Sequence, residues 1–170
     1  REIDFAQDRH HRVEMLIECQ RRGEIPERIT HNDTKLNNLM FDEVGNEPLC
    51  VLDLDTVMPG LVHYDFGDMI RTGCATAAED EEDLSVVDFD RHLFSGISQG
   101  YLEAGRAFLT EREVEHLAFS AILMTLEVGI RFLTDYLEGD LYFKVHHPEH
   151  NLQRARSQFQ LVRRLKSASS

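Results

Sequence analysis

The sequence predicts a mainly α-helical domain that contains one small β-hairpin. Apolar residues recur at helical spacing in four long segments, namely residues 3–22, 89–107, 110–136 and 151–166. Strand-like composition is confined to two short apolar runs, residues 39–41 and 49–54, and the polar turn between them predicts a hairpin. A chain of 170 residues can bury a core of its own. We therefore expect one domain over residues 1–170.

The first half of the chain alternates helical and extended elements. Gly23 ends the predicted first helix, because glycine is common just past a helix C-terminus. A β-branched run at residues 29–31 leads into a polar segment that precedes the hairpin. After the hairpin, Met58, Pro59 and Gly60 predict a turn. Residues 65–72 predict a short helix.

The second half is predicted to be helical apart from two loops. Residues 77–83 are acidic and predict a solvated loop. Thr110 and Glu113 form a capping-box pattern in front of the longest helix, which should run to about Tyr136. Pro148 separates that helix from the last one, because proline cannot continue a helix.

The charge and the cysteines restrict the class of protein. The chain has 31 acidic against 18 basic residues, a formal charge of −13, which disfavours nucleic acid and anionic membranes as partners. Cys19, Cys50 and Cys74 show no paired spacing, which is typical of reduced thiols in a cytoplasmic protein. Cys50 and Cys74 lie among apolar residues and should be buried. The longest uncharged stretch, residues 116–126, is too short to span a bilayer.

The most informative motif is His-Asn-Asp-Thr-Lys-Leu-Asn-Asn at residues 31–38. Protein kinases carry H-R-D-L-x-x-x-N in the loop that performs phosphoryl transfer, with the same spacing between the Asp and the Asn. By that spacing Asp33 is the predicted catalytic base, which accepts the proton of the acceptor hydroxyl, and Asn38 is a predicted magnesium ligand. The motif therefore predicts an ATP-dependent phosphotransferase.

Two further carboxylates follow the second strand of the hairpin, in the metal-binding segment that we predict at residues 51–55. Alternation along a strand would place Asp53 and Asp55 on one face, where they could share a cation. Two close carboxylates on an otherwise apolar strand would repel each other without one. We predict Asp53 as a magnesium ligand and Asp55 as a second ligand or an anchor behind it.

Three other residues near the motif have predicted roles. Lys35 could neutralise charge that develops on the transferring phosphate, with a solvated surface lysine as the alternative. His31 is predicted to support the loop through backbone contacts rather than to catalyse. Asp65 begins an Asp-Phe-Gly string, but it lies too far from Asn38 to be the metal-binding motif of that spelling. We predict instead that Asp65 lies at a helix N-terminus and bonds the loop.

A histidine cluster offers an alternative metal site of another kind. His146, His147 and His150 suggest zinc, but Pro148 prevents a helical pair on one face, so a loop is the favoured interpretation.

The motifs together resemble the aminoglycoside phosphotransferase and choline kinase superfamily, whose members share a protein-kinase-like α+β fold with a helical C-terminal lobe. Four stretches are most similar to the N-acetylhexosamine 1-kinases: HNDTKLNN, VLDLDTVMPGLVHYDFGDMIR, TAAEDE and HNLQRARSQF. The resemblance implies transfer of phosphate from ATP to the anomeric hydroxyl of a sugar, with Asp33 as base and Mg²⁺ bound by Asn38 and Asp53.

The resemblance also implies a sugar pocket in the helical part, residues 65–166. Within that part Glu127 and Arg131 are the two charges of the otherwise uncharged stretch 117–133, so the pair either satisfies itself or faces a polar ligand. Arg131 and Tyr142 are the predicted substrate-binding residues. Other acceptors remain open, namely choline, homoserine or an aminoglycoside, as does a non-catalytic binding module that keeps the loop.

One part of the family pattern has no counterpart in this sequence. The N-terminal lobe of the superfamily binds the nucleotide through a glycine-rich loop, a strand lysine and a helix glutamate, and none of the three is found here. We therefore expect this chain to be the C-terminal lobe, with ATP and a sugar as its small-molecule partners and the missing lobe as its protein partner. The lobe by itself should turn over poorly.

Overall fold

The helix α6, Glu111–Glu138, lies at the centre of the fold. The structure is a computed structural model that describes residues 1–45 and 47–168. α6 packs along α4, Val62–Gly73, and along α7, His150–Ala168, while α5, Arg91–Gly105, packs on α4. The mainly helical class with a small hairpin is thus confirmed.

Buried side chains form two apolar clusters around α6. The larger one joins α4, α6 and α7 through residues such as Phe66, Leu126 and Phe159. The smaller one joins the N-terminal segment to α6 and includes Leu16 and Leu123. Burial of this apolar surface is the main force that holds the helices together.

Two antiparallel strand pairs bring two connecting segments together. β1, Arg28–Thr30, pairs with β4, Met58–Gly60, and β2, Leu39–Phe41, pairs with β3, Pro48–Val51. The segment 31–38 runs from β1 to β2, and the segment 52–57 runs from β3 back to β4. Because both ends of the two segments are held by paired strands, the segments lie side by side.

The predicted helices α4 to α7 are confirmed, with small shifts at their ends. Asp90 caps α5 by accepting the N–H groups of His92 and Leu93. Thr110 and Glu113 form the predicted capping box of α6, which ends at Gly139 with φ +95°. Residues 77–83 lie outside helices and strands.

The predicted single helix over residues 3–22 is wrong. The structure has three short helices there: α1, Glu2–Gln7, α2, His10–Val13, and α3, Met15–Arg21. Phe5 packs in the larger cluster, 4.8 Å from the ring of Phe159, whereas Leu16 and Cys19 pack in the smaller one. The breaks between the helices let the chain reach both clusters.

Three expectations for the hairpin region are also wrong. Met58–Gly60 is a strand and not a turn, because β1 supplies a partner, and Pro59 is tolerated in a two-stranded sheet. Cys50 is exposed, while Cys74 is buried as predicted. The second hairpin strand ends at Val51, so strand alternation does not apply to Asp53 and Asp55: Asp53 has φ +57° and Asp55 lies in a 3₁₀ turn, Leu54–Thr56.

By length and composition, α6 is the one helix among the described residues that could cross a membrane. The uncharged stretch 116–126, which is itself too short for a span, forms only part of this helix. However, 56% of its apolar window is buried inside the protein, where α4 and α7 cover it. A central core helix has the same composition.

Gly67→Ala should lower the free energy of unfolding by about 2 kcal/mol, because overpacking a helix contact costs that much. A Cβ at Gly67 would lie 2.5 Å from the carbonyl oxygen of Ser120. Gly96→Ala is the matched control, since its Cβ in α5 would meet nothing within 4 Å. It should be stabilising, by up to about 1 kcal/mol. Urea unfolding followed by circular dichroism measures both, and equal stabilities would contradict the close contact of α4 with α6.

Candidate active site

Asp65 attaches the segment 31–38 to the helical core. It lies in the first turn of α4. Its carboxylate accepts the peptide N–H of His31 at 2.9 Å and that of Asn32 at 2.7 Å. The hydroxyl of Thr34 donates to the carbonyl oxygen of Asp65 at 2.6 Å. The supporting role that we predict for Asp65 rests on these three bonds.

Asn32 and His31 connect the segment 31–38 to the segment 52–57. Asn32 has φ +64° and donates from Nδ2 to the carbonyl oxygen of Thr56 at 3.0 Å. The Thr56 hydroxyl in turn donates to the carbonyl oxygen of His31 at 2.6 Å. His31 Nε2 lies 3.0 Å from the carbonyl oxygen of Leu52, and a contact with an acceptor places the proton on that nitrogen. His31 therefore contacts backbone, as a supporting residue would.

Asp33 lies in the middle of this braced segment and is partly buried. Its Oδ2 accepts from Lys35 Nζ at 2.7 Å and from Asn38 Nδ2 at 3.0 Å. Partial burial raises the pKa of the Asp33 carboxyl, but the bonds from Lys35 and Asn38 outweigh burial and hold that pKa below its ordinary value. In the part of the chain that the structure describes, Oδ1 takes no hydrogen bond, so it can accept a proton from a substrate hydroxyl.

Asn38 and Asp53 lie at the same end of the hairpin. Asn38 directly precedes β2, Asp53 follows β3 by two residues, and Leu52 N–H donates to the carbonyl oxygen of Asn38 at 2.8 Å. Asn38 is buried, and its Nδ2 is committed to Asp33. Its Oδ1 makes no hydrogen bond within residues 1–45 and 47–168. The amide oxygen of Asn38 and the exposed carboxylate of Asp53 therefore belong to neighbouring positions at this end of the hairpin.

The side-chain oxygen atoms at this end of the hairpin are of the type and number that a cation such as Mg²⁺ takes from a protein. Among the described residues, no group of three or more His, Cys, Asp and Glu side chains is placed to hold a metal. Asn38, Asp53 and Asp55 supply two or three oxygen donors. Mg²⁺ is commonly held by one or two carboxylates, with the remaining positions left to water and phosphate oxygens.

Arg131 and Tyr142 are brought together on the far side of α6. The guanidinium carbon of Arg131 lies 5.7 Å from the ring centre of Tyr142 and 5.4 Å from that of Phe143. The side chains of Arg131 and Glu127 form a 3.8 Å ion pair and are 49% and 41% exposed. The two charges therefore pair with each other, one of the two alternatives that the sequence left open, and they do so on the half-open face of α6.

Polar residues of α4 contact the segment 31–38, and their charges act on Glu127 of α6. The Thr72 hydroxyl lies 3.3 Å from the peptide nitrogen of Leu36, and Arg71 is largely buried in an ion pair with Asp68 at 2.9 Å. Burial raises the pKa of Glu127, Asp68 adds to the rise, and Arg131 and Arg71 oppose it. Glu127 is therefore close to this part of α4.

The histidine cluster has a structural explanation. His150 is buried, and its Nε2 lies 3.1 Å from Asp80 while its Nδ1 accepts the N–H of His146. This bond ties the acidic loop to the start of α7. A cavity of about 640 Å³ opens nearby, between α1, the acidic loop and α7, and its lining includes His147 but none of the residues predicted for phosphoryl transfer.

Sequence analysis missed an ion pair that fixes β1. Arg28 donates to both carboxylate oxygens of Glu113, at 2.7 and 2.9 Å, and the Glu113 side chain is fully buried. The capping-box pattern pointed to Glu113, but no local signal identified Arg28, 85 residues away. Asn32 was also missed, although its place beside Asp33 is visible in the motif.

Lys35→Ala should raise the pKa of Asp33 toward its ordinary 3.8, because it removes one of the two bonds that lower it. A lowered carboxyl pKa stabilises the fold above pH 3.8, and that stabilisation disappears as the pH falls through the lowered value. The variant should therefore be less stable than wild type at neutral pH, by under about 1 kcal/mol for so open a pair, and equally stable in acid.

Carbon-13 NMR of the side-chain carboxyls measures the titration, and urea unfolding measures the stability. Lys144→Ala is the control, since Lys144 is exposed and its side chain has no partner among residues 1–45 and 47–168. An Asp33 titration that is identical in both variants would show that Lys35 does not contact the carboxylate in solution.

Comparison with protein families places this geometry in a known class. Residues 3–109 match the model of the phosphotransferase enzyme family, APH. The matched region includes the segment 31–38, both strand pairs and α4, and it ends before α6. It covers more than half of the chain, and it contains the residues to which the loop motif assigned catalysis. The chain belongs to the phosphotransferase enzyme family.

Proposed function

We propose that this protein transfers the γ-phosphoryl group of ATP to the anomeric hydroxyl of an N-acetylhexosamine. The observation that carries the proposal is the Asp33 carboxylate, which is fixed through Oδ2 by Lys35 and Asn38 and keeps Oδ1 free among the described residues. The choice of acceptor is supported by the resemblance of residues 31–38 and 53–60 to N-acetylhexosamine 1-kinases.

Asp33 acts as the base in this proposal. The acceptor hydroxyl donates to Oδ1, and the carboxylate takes its proton as the oxygen attacks phosphorus. The lowered pKa keeps Asp33 ionised at neutral pH, and an anomeric hydroxyl is more acidic than a simple alcohol, which suits a weak base. Most of the rate gain then comes from positioning, because the transition state of phosphoryl transfer is loose.

Lys35 and the Mg²⁺ ligands at the end of the hairpin are proposed to neutralise the negative charge of the ATP phosphates. An ammonium has three N–H donors, so Lys35 can keep its bond to Asp33 and also bind a phosphate oxygen. Asn38 Oδ1 and Asp53 would hold Mg²⁺, with Asp55 as a second ligand or an anchor behind it. When bound, the ion neutralises charge on the nucleotide phosphates.

Arg131 and Tyr142 form the proposed acceptor side. Tyr142 is 74% exposed, so its ring face is open to a ligand, while the neighbouring guanidinium offers several N–H donors. An apolar sugar face suits the ring, and the acetamido oxygen suits the donors. The net charge of −13 would also suit a cationic acceptor, which makes choline and aminoglycosides the rivals to test.

We further propose that a nucleotide-binding lobe outside residues 1–170 completes the ATP site. The hairpin exposes apolar side chains on both faces, among them Met40, Phe41, Leu49 and Val51. A contiguous apolar surface of this kind is typical of a contact with another part of a protein. Such a lobe would cover the hairpin beside the Mg²⁺ ligands.

ADP release over a panel of acceptors tests the function. The protein is assayed with Mg²⁺, ATP and N-acetylglucosamine, N-acetylgalactosamine, neutral sugars, choline or an aminoglycoside, as residues 1–170 alone and together with the proposed nucleotide-binding lobe. We expect release that depends on an N-acetylhexosamine, an acid-labile product phosphate, and little release by residues 1–170 alone. Release with only a cationic acceptor would overturn the sugar assignment, and no release with any acceptor would favour a binding module.

Asp33→Asn should lower kcat by about 1,000-fold, because a positioned general base contributes 10²- to 10⁴-fold. Its free energy of unfolding should fall by less than about 1 kcal/mol, since only a half-open ion pair is lost. Asp83→Asn is the control, an exposed acid in the 77–83 loop. Retention of near-full turnover by the Asp33 variant would refute the assignment of the base.

A further inference from the structure

The chain that follows α6 is wrapped around one buried carboxylate. Asp135, 4% exposed in the last turn of α6, accepts three successive peptide N–H groups: Leu141 at 2.9 Å, Tyr142 at 2.7 Å and Phe143 at 2.9 Å. Gly139 and Asp140 both have positive φ, which turns the chain back toward that carboxylate. Residues 139–143 are hereafter the Tyr142 loop.

Asn151 completes this arrangement from α7. It is fully buried, and its Nδ2 donates to Asp135 at 2.8 Å and to Asp140 at 2.9 Å. Four donors therefore surround the Asp135 carboxylate. The two helices that flank the Tyr142 loop are joined through the same pair of side chains.

Burial raises the pKa of the Asp135 carboxyl, but its four hydrogen bonds outweigh burial and hold that pKa below its ordinary value. The C-terminal end of a helix carries partial negative charge, which repels a carboxylate, and burial adds a desolvation cost. The bonds of Asp135 order a loop in which Leu141 and Tyr142 are 81% and 74% exposed, so those two residues gain little apolar burial in return. The hydrogen bonds to Asp135 instead determine the position of the exposed Tyr142 ring.

The ring is placed where Arg131 faces it. The backbone of Tyr142 is fixed by Asp135. The centre of the Phe143 ring lies 4.8 Å from that of the Tyr142 ring and 4.7 Å from that of the Phe132 ring. Arg131 stacks over both Tyr142 and Phe143. A loop already ordered before binding loses less conformational entropy when a ligand arrives.

We propose that Asp135 and Asn151 are positioning residues for the acceptor, which hold the Tyr142 loop in its binding conformation. The inference rests on the proposed function, in which Tyr142 and Arg131 form the acceptor side. Neither residue reaches the reacting atoms in this proposal. Their loss should therefore weaken acceptor binding and leave the chemical step and the ATP site largely intact.

Asp135→Asn in the complete protein is the first test. An amide has one oxygen, so its NH₂ group must face at least one of the four donors, and the loop should lose its fixed position. We expect the KM for the acceptor to rise about tenfold, since a misplaced contact costs up to 10²-fold, with kcat and the KM for ATP within about twofold. Glu138→Gln, an exposed carboxylate in the same helical turn, is the control and should change none of these values.

Amide hydrogen exchange supplies a readout that does not depend on turnover. The N–H groups of Leu141, Tyr142 and Phe143 should be protected in wild type and exchange faster in Asp135→Asn, with the α6 core unchanged. Asn151→Ala leaves in place the three hydrogen bonds that peptide N–H groups donate to Asp135. It serves as a second variant if the first does not fold. It should raise the acceptor KM by about threefold.

A double variant separates positioning from general destabilisation. If Asp135 acts through Tyr142, adding Asp135→Asn to Tyr142→Ala should raise the acceptor KM little beyond Tyr142→Ala alone. Additive effects, unchanged exchange, or an unchanged acceptor KM in an active Asp135→Asn enzyme would each overturn the inference. Wild type that uses another acceptor would refute only the sugar assignment, and the same KM comparison would then be made with that acceptor. Wild type without any turnover would refute both.

Discussion

Asp65 accepts two consecutive peptide N–H groups from the loop that carries Asp33 and so anchors that loop directly to a core helix. A carboxylate bonded to main chain fixes backbone position more firmly than a surface ion pair, because N–H donors bonded to a charged group form strong bonds and have little freedom. α4 is itself fixed, since Gly67 lets it approach the backbone of α6 at Ser120. The position of the proposed base is therefore defined relative to the central helix of the fold.

The site is assembled from two connections rather than from one motif. Residues 31–38 and 52–57 run between the same two strand pairs, and Asn32, His31 and Thr56 bond one segment to the other. This arrangement explains how short strands hold functional groups in register. Each strand is only three or four residues long, and a sheet of two such strands is weak by itself. The cross-links between the segments, and the Arg28–Glu113 pair below β1, provide the rigidity that the sheets lack.

Sequence periodicity predicted the long helices because their apolar faces and caps are local signals, as in the Thr110–Glu113 capping box. The breaks within residues 3–22 could not be predicted, since they depend on two clusters formed by distant residues. The strand at Met58–Gly60 depends on its pairing with β1 in the same way.

For the site, motif spacing pointed to Asp33 and Asn38, whose side chains lie in contact. The prediction for Asp53 assumed strand geometry and was wrong, because the left-handed backbone of Asp53 has no clear local signature. Asp135 was missed because three of its four partners are main-chain groups, which a sequence pattern does not reveal.

The close contact at Gly67 has a consequence for how the acceptor range of this fold can change. α4 bears the loop of Asp33 and α6 bears Arg131, and the two helices meet without room for a methyl group between them. Asp33, the proposed base, and Arg131, one of the two proposed acceptor residues, are therefore linked through one tight helix contact, and a substitution along that contact would disturb both at once. The Tyr142 loop lies beyond the end of that contact. Under the proposed function, new acceptor preferences can therefore evolve, or be engineered, by exchanging residues 139–149 while the position of Asp33 is retained.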